Sequence, residues 1–152
     1  MVTRTRLAAA ATAAAFVIAL AMYLHDPPWA GSVTSGFRPW RVDGRGERFR
    51  WTTGRASFFV PADATAMTLK MRPLEPLSDK PITVDVAVDD RALATIALPD
   101  PLHPDPNQWV RTTLPLPRRP SSRRFRRVEL HVHRWLPGFH QGVQFGEIEL
   151  ER

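Results

Sequence analysis

The stretch ITVDVAVDDRALATIAL, from Ile82 to Leu98, decides the fold. Ile82, Val84, Val86 and Val88 fall on one parity, and Thr83, Asp85 and Ala87 on the other. Such alternation has the two-residue period of a β-strand with one buried face, not the 3.6-residue period of a helix. Asp89, Asp90 and Arg91 then predict a tight turn, because aspartate tolerates the backbone angles of short hairpin loops. Ala94, Ile96 and Leu98 resume the apolar row on a return strand. One such hairpin cannot bury its apolar face alone, so the pattern demands more strands and a second layer.

The same rhythm continues in both directions. Upstream, Phe49-Arg50-Trp51 alternates; beyond Thr53, Gly54 and Arg55, the residues Ala56, Phe58 and Val60 share a parity. Met67, Leu69 and Met71 alternate with Thr68, Lys70 and Arg72. Downstream, Val110, Thr112, Leu114 and Leu116 form an inward row, and Val128, Leu130 and Val132 another. Val143 and Phe145 share one parity while Ile148 and Leu150 share the other, so a β-bulge is expected at Gly146. The stretches PDPLHPDP (Pro99 to Pro106), PRRPSSRR (Pro117 to Arg124) and LPGFHQG (Leu136 to Gly142) read as loops and turns. The chain has 15 prolines and 8 glycines, which suits short strands joined by stiff loops. About eight or nine strands result. The expected fold is all-β: an antiparallel, jelly-roll-like β-sandwich over residues 37–152. With 152 residues in all, there is room for one such domain.

The first 24 residues, MVTRTRLAAAATAAAFVIALAMYL, differ in kind. From Leu7 to Leu24 there is no charge, and Thr12 and Tyr23 are the only polar side chains. As a helix this run spans about 27 Å, close to the hydrocarbon thickness of a bilayer. Arg4 and Arg6 precede it, which predicts a cytoplasmic segment 1–6, a transmembrane signal anchor 7–24 and an exported remainder. A cleaved signal peptide is the alternative, but the apolar run exceeds the usual core. Cleavage after Ala30 would also put Pro28 where a small residue belongs. Tyr23 and Trp29 fall where interfacial aromatics are expected. Pro27-Pro28 stops the helix, and residues 25–36 read as a linker. The expected location is a bacterial inner (cytoplasmic) membrane, single-pass, with the C-terminal domain outside the cytoplasm.

Charge and cysteine usage exclude several functions. The net charge is +6, carried almost wholly by arginine, since Lys70 and Lys80 are the only lysines. There is no cysteine, which removes disulfides, zinc-thiolate sites and thiol catalysis. Arg118, Arg119, Arg123, Arg124, Arg126 and Arg127 lie close together in sequence. For an exported chain this cluster points away from nucleic acid. It suits a solvated hairpin tip, or contact with anionic lipid, acidic glycan or an acidic partner.

The layout FRWTTGRASFFVP (Phe49 to Pro61), a valine-rich strand ending in VDD (Val88 to Asp90), WVRTTLPLP (Trp109 to Pro117) and VELHVHRW (Val128 to Trp135) resembles galactose-binding-type jelly rolls. It is similar to the exported β-sandwich modules of bacterial membrane and envelope proteins. That resemblance implies glycan contact but carries no ligand residue over.

VELHVHRW also holds the candidate site. With Val128, Leu130 and Val132 inward, Arg127, Glu129, His131, His133 and Trp135 share the other face. Three readings stand for this face. It is a solvated strand face, a glycan or partner surface, or a metal site with His131 and His133 joined by Glu129 or His140; His103 is unplaced. A sugar would rest its C–H face on Trp135 and hydrogen-bond to Arg, Glu and His. Trp109 and Arg111 would add to the surface if their strand is a neighbour. Core or rim packing is the plain use of Trp51, Trp109 and Trp135. No metal ligand and no cofactor are assigned. No nucleophile elbow, phosphate loop or metalloprotease helix appears, nothing directs Asp85 and Glu129 to a shared site, and catalysis is not expected. The function expected is a membrane-anchored, non-catalytic binding module for a glycan or an envelope partner. The alternative is a structural or interaction subunit of a membrane complex, with the anchor and the arginine cluster as contacts.

Overall fold

A computed structural model describes residues 2–73, 82–98, 109–118, 123–133 and 142–152. It begins with helix α1 (Val2–His25), and the segment Ala8–Ser32 is long and apolar enough to cross a membrane. A signal sequence has the same length and composition. A short 3-10 helix (Pro28–Ser32) follows, with Pro28 at its first turn. Among the described residues ten antiparallel strands come next: β1 (Ser35–Phe37), β2 (Arg41–Val42), β3 (Arg48–Pro61), β4 (Ala66–Arg72), β5 (Ile82–Val88), β6 (Arg91–Leu98), β7 (Val110–Pro115), β8 (Phe125–Val132), β9 (Gln144–Phe145) and β10 (Glu149–Glu151).

The strands form an antiparallel β-sandwich, the expected fold class. One layer runs β1-β3-β8-β5-β6 and the other has β4 at its centre, between β7 on one side and β9 and β10 on the other. The strand count exceeds the expected eight or nine for two reasons. The region around residue 37 contributes two short strands, β1 and β2, on the edge of β3. The last strand is also split. Phe145 faces Met71, but Leu150 faces Met67, so five steps on one strand oppose four on the other. This is the bulge expected at Gly146, whose N–H still reaches the Lys70 carbonyl at 2.7 Å.

Strand β3 joins the layers. It is a single 14-residue strand running through Thr53-Gly54-Arg55. Its first half pairs with β9 and its second half with β8. Thr52, fully buried between the halves, exchanges backbone hydrogen bonds with the Val143 region, and its hydroxyl accepts the Val143 N–H at 2.9 Å. The core lies between the layers. Ala56, Phe58 and Val60 of β3 meet Met67, Leu69 and Met71 of β4, Val84, Val86 and Val88 of β5, and Val128, Leu130 and Val132 of β8. Each of these rows was legible as a two-residue period. Trp51 is buried, yet outside that cluster: it opposes Gln144, as Arg72 does, on the outward side of the second layer.

Two polar contacts hold the edges. Arg50 lies on the core side, its guanidinium 3.7 Å from the Phe37 ring centre and 4.7 Å from that of Trp40. Desolvation lowers its pKa from the ordinary guanidinium value. Asp89 and Asp90 both adopt left-handed angles, φ 50° and 62°, in the β5–β6 turn. Asp89 then receives the Arg127 N–H at 3.0 Å and the Arg126 Nε–H at 3.1 Å. Arg126 is buried, and its Nη1 also donates to the Pro117 carbonyl at 2.9 Å.

Asp89→Ala leaves the buried Arg126 without its carboxylate and should lower stability by about 2 kcal/mol, a loss of several degrees in thermal unfolding. Asp90→Gly, which relieves a left-handed angle, should leave the transition unchanged or raise it slightly. Equal losses in both variants would contradict the link between this turn and Arg126.

Candidate functional site

The outward face of the first layer is fixed by what its other face buries. Ala56 of β3, Leu130 of β8 and Val86 of β5 oppose one another on the core side. The residues one step away must therefore line up on the outside. Arg55 of β3 opposes His131 of β8, His131 opposes Asp85 of β5, and Asp85 opposes Thr95 of β6. The next row is Ser57, Glu129 and Ala87. Directly opposed side chains on one face have Cβ atoms about 5 Å apart, so these rows are contact rows.

Within them the partners are specific. Thr95 Oγ1–H donates to Asp85 Oδ1 at 2.6 Å, and His133 Nε2 lies 2.5 Å from Asp85 Oδ2. The rings of His131 and His133 have centres 4.7 Å apart, tilted by 40°. Arg127 Nη2 stands 2.6 Å from Glu129 Oε1. The Thr95 hydrogen bond, then that of His133, holds the Asp85 carboxyl below the usual carboxylate range, against a smaller opposing effect of desolvation. An open depression of roughly 450 Å³ runs over this face, lined by Arg55, Ser57, Asp85, Arg127, Glu129 and His131, with Ser35 of β1 at its rim. Its lining offers cationic donors, anionic acceptors and hydroxyls within one concavity, which suits a polyhydroxylated or charged ligand.

The structure brings together four of the expected site residues, Arg127, Glu129, His131 and His133, on the face predicted for them. It separates two others. The strand of Trp109 and Arg111 is not a neighbour of β8: β7 pairs with β4 in the second layer. There Trp109 is half-buried between Lys70 and Arg72, whose cationic groups lie 4.9 and 4.5 Å from its ring centre. Its indole N–H has no hydrogen-bond partner among the described residues. Arg111 pairs with Glu149 of β10. Trp135, His140 and His103 lie outside the described residues. Among the described residues the arginine cluster is divided rather than continuous. Arg126 is buried on Asp89, Arg127 pairs with Glu129, and Arg124 approaches Asp26 at the end of α1 at 3.8 Å. Sequence reasoning missed Arg55, Ser57, Thr95 and the role of Asp85. The signal for Asp85 was its place on the polar parity of β5; the signal for Arg126 was its shared parity with Val128.

No protein-family model matches the sequence, and no curated protein matches it. Solved structures do. The C-terminal CBM6 of LamC, a marine laminarinase from Zobellia galactanivorans, is 11% identical, with 79% of this chain and 91% of that chain covered and a TM-score of 0.45. A family 35 carbohydrate binding module from an environmental isolate is 17% identical over 77% of this chain and 87% of that one, with a TM-score of 0.45. The carbohydrate binding module CBM6cm-2 of Cellvibrio mixtus lichenase 5A, solved with cellotriose, is 14% identical over 81% and 92%, with a TM-score of 0.43. All three identities are below 20% and all three TM-scores below 0.5, and no ligand or role is carried over from these structures.

Thr95→Val should raise the Asp85 pKa toward its ordinary value of about 3.9. Because the folded-state pKa is depressed, the stabilisation linked to Asp85 is present above the unfolded pKa and lost as the pH falls through the folded one. The variant should lose it at a higher pH. Carboxyl-carbon NMR titration of Asp85 reads the shift directly, and an unchanged midpoint would mean the hydroxyl does not hold the carboxylate.

Proposed function

We propose that the protein is a membrane-tethered, non-catalytic binding module whose outward β3-β8-β5 face takes a glycan. The observation that carries this reading is the open concavity with Arg55, Ser57, Asp85, Arg127, Glu129 and His131 on its wall. Sugar hydroxyls donate and accept hydrogen bonds at once, and a wall that mixes cationic donors with carboxylates and hydroxyls answers both. The groups stand on central strands rather than on loops, so a ligand would meet a preorganised surface. Trp135, two residues beyond His133, is the residue we assign to stacking on a sugar face.

The tether is α1. Its apolar run and the two arginines before it support insertion with the sandwich outside the cytoplasm. The chain leaves the helix and at once touches the domain. Asp26 Oδ2 accepts the Arg124 N–H at 2.6 Å, and any side chain at Gly31 would strike the Phe125 ring, 2.5 Å from an added Cβ. These contacts support a sandwich held close to the end of the anchor.

The test is binding of the detergent-solubilised full chain to a glycan array. A single glycan class should bind, and Glu129→Ala and Trp135→Ala should each weaken it by about tenfold or more, the loss expected for a charged hydrogen bond or an aromatic platform. No saturable glycan binding, with stable co-purification of a membrane protein, would replace this reading by that of an interaction subunit. A phosphatase reporter at the C-terminus should be active; an inactive one, with the fusion present, would overturn the orientation.

A further inference from the structure

We infer that Asp85, His131 and His133 form a binding site for a divalent transition-metal ion of the zinc, nickel or copper type. The inference concerns the same face as the proposed glycan surface but does not depend on glycan binding. His131 of β8 and His133, one residue past the end of that strand, share the outward parity, and their ring centres lie 4.7 Å apart. The third ligand comes from β5, where Asp85 opposes His131 directly. One ligand atom from each of the three lies within 4.8 Å of the others.

That spacing is close to what an ion needs. Ligand atoms about 2.1 Å from a common zinc ion stand roughly 3.4 Å apart in tetrahedral geometry, so the widest pair of the triad closes by at most about 1.4 Å. Both imidazoles are exposed, and small side-chain rotations supply it. The pair His133 Nε2 and Asp85 Oδ2, 2.5 Å apart, must open by about 0.9 Å, exchanging its hydrogen bond for two bonds to the ion. The carboxylate is also held from behind. Thr95 donates to Asp85 Oδ1 and leaves Oδ2 directed at the histidines, the outer-shell support that metal-binding carboxylates require. Two imidazoles and one carboxylate select a borderline transition metal over calcium or magnesium, which prefer all-oxygen shells. Three protein ligands leave a fourth position open to water or to a ligand donor. Arg55, on the far side of His131 in the same row, opposes the cation and would favour an anionic group at that open position.

The probe is Co²⁺ alone, titrated into the full chain in detergent, purified with a tag that contains no histidine. We expect one equivalent to bind with the visible absorption of a four-coordinate cobalt centre, and Zn²⁺ to displace it. His131→Ala, His133→Ala and Asp85→Asn should each weaken binding by at least about tenfold, and Thr95→Val by about tenfold. These are surface positions, and circular dichroism of each variant checks that the sandwich is intact. Absence of a saturable one-to-one signal in the wild-type chain would overturn the site. So would wild-type affinity in the folded His131→Ala and His133→Ala variants, which would place any bound ion elsewhere. Because the titration contains no glycan, its result is independent of the array experiment.

Discussion

The register of β8 between β3 and β5 is the constraint on which the rest depends. Leu130 must meet Ala56 on one side and Val86 on the other, with Val128 and Val132 similarly placed one turn of the pleat away. All of these side chains are buried. A slip of one residue in either pairing would turn the valine and leucine row to solvent and drive Glu129 and His131 into the core. The second outcome alone would leave ionisable groups desolvated without partners, a cost of several kcal/mol each. The outward rows are therefore a by-product of the inward ones. Arg55, His131, Asp85 and Thr95 stand in line because Ala56, Leu130, Val86 and Ala94 do.

A second constraint connects the layers. β3 serves both, and Thr52 is where it changes partner. Its N–H, carbonyl and hydroxyl all engage the segment Gly142-Val143, so the point of exchange leaves no buried polar group of that residue unpaired. Gly142 admits this approach because an added Cβ would lie 2.6 Å from Thr52 Oγ1. At the opposite end of β8, the turn aspartate Asp89 satisfies the buried guanidinium of Arg126. An unusual backbone, left-handed at two aspartates, thus coincides with a charge that needs a partner. That coincidence explains why aspartate and not glycine occupies the first turn position.

How much of this was legible in the sequence follows from what periodicity can carry. Alternation reports which residues of one strand share a face, and it reported Val84-Val86-Val88, Val128-Leu130-Val132 and the phase change at Gly146 as the structure has them. It says nothing about which strand lies beside which. Hence Asp85 could not be joined to His131, although each was on the polar parity of its own strand, and Trp109 could not be assigned to the far layer. Composition also misled where it overrode parity. The arginines from Arg118 to Arg127 read as one basic patch, yet Arg126 sits on the same parity as Val128 and is buried accordingly. Two short strands, Ser35–Phe37 and Arg41–Val42, were illegible because two or three residues cannot display a period.

The outward face contributes little to holding the sandwich together. Its Arg127–Glu129 ion pair is about half exposed, and such a pair adds on the order of 1 kcal/mol or less. The core rows would select the same register with serine or threonine at every outward position. Fold and surface chemistry are therefore separable in this protein. Uncharged substitutions at His131, His133 or Glu129 change what the face can bind while leaving the buried rows intact. The same separation does not hold at Arg126 or Thr52, where a polar group is enclosed by the core and its loss is a loss of structure. A ligand that discriminates among variants of the first group, and not through their stability, would be reading the face itself.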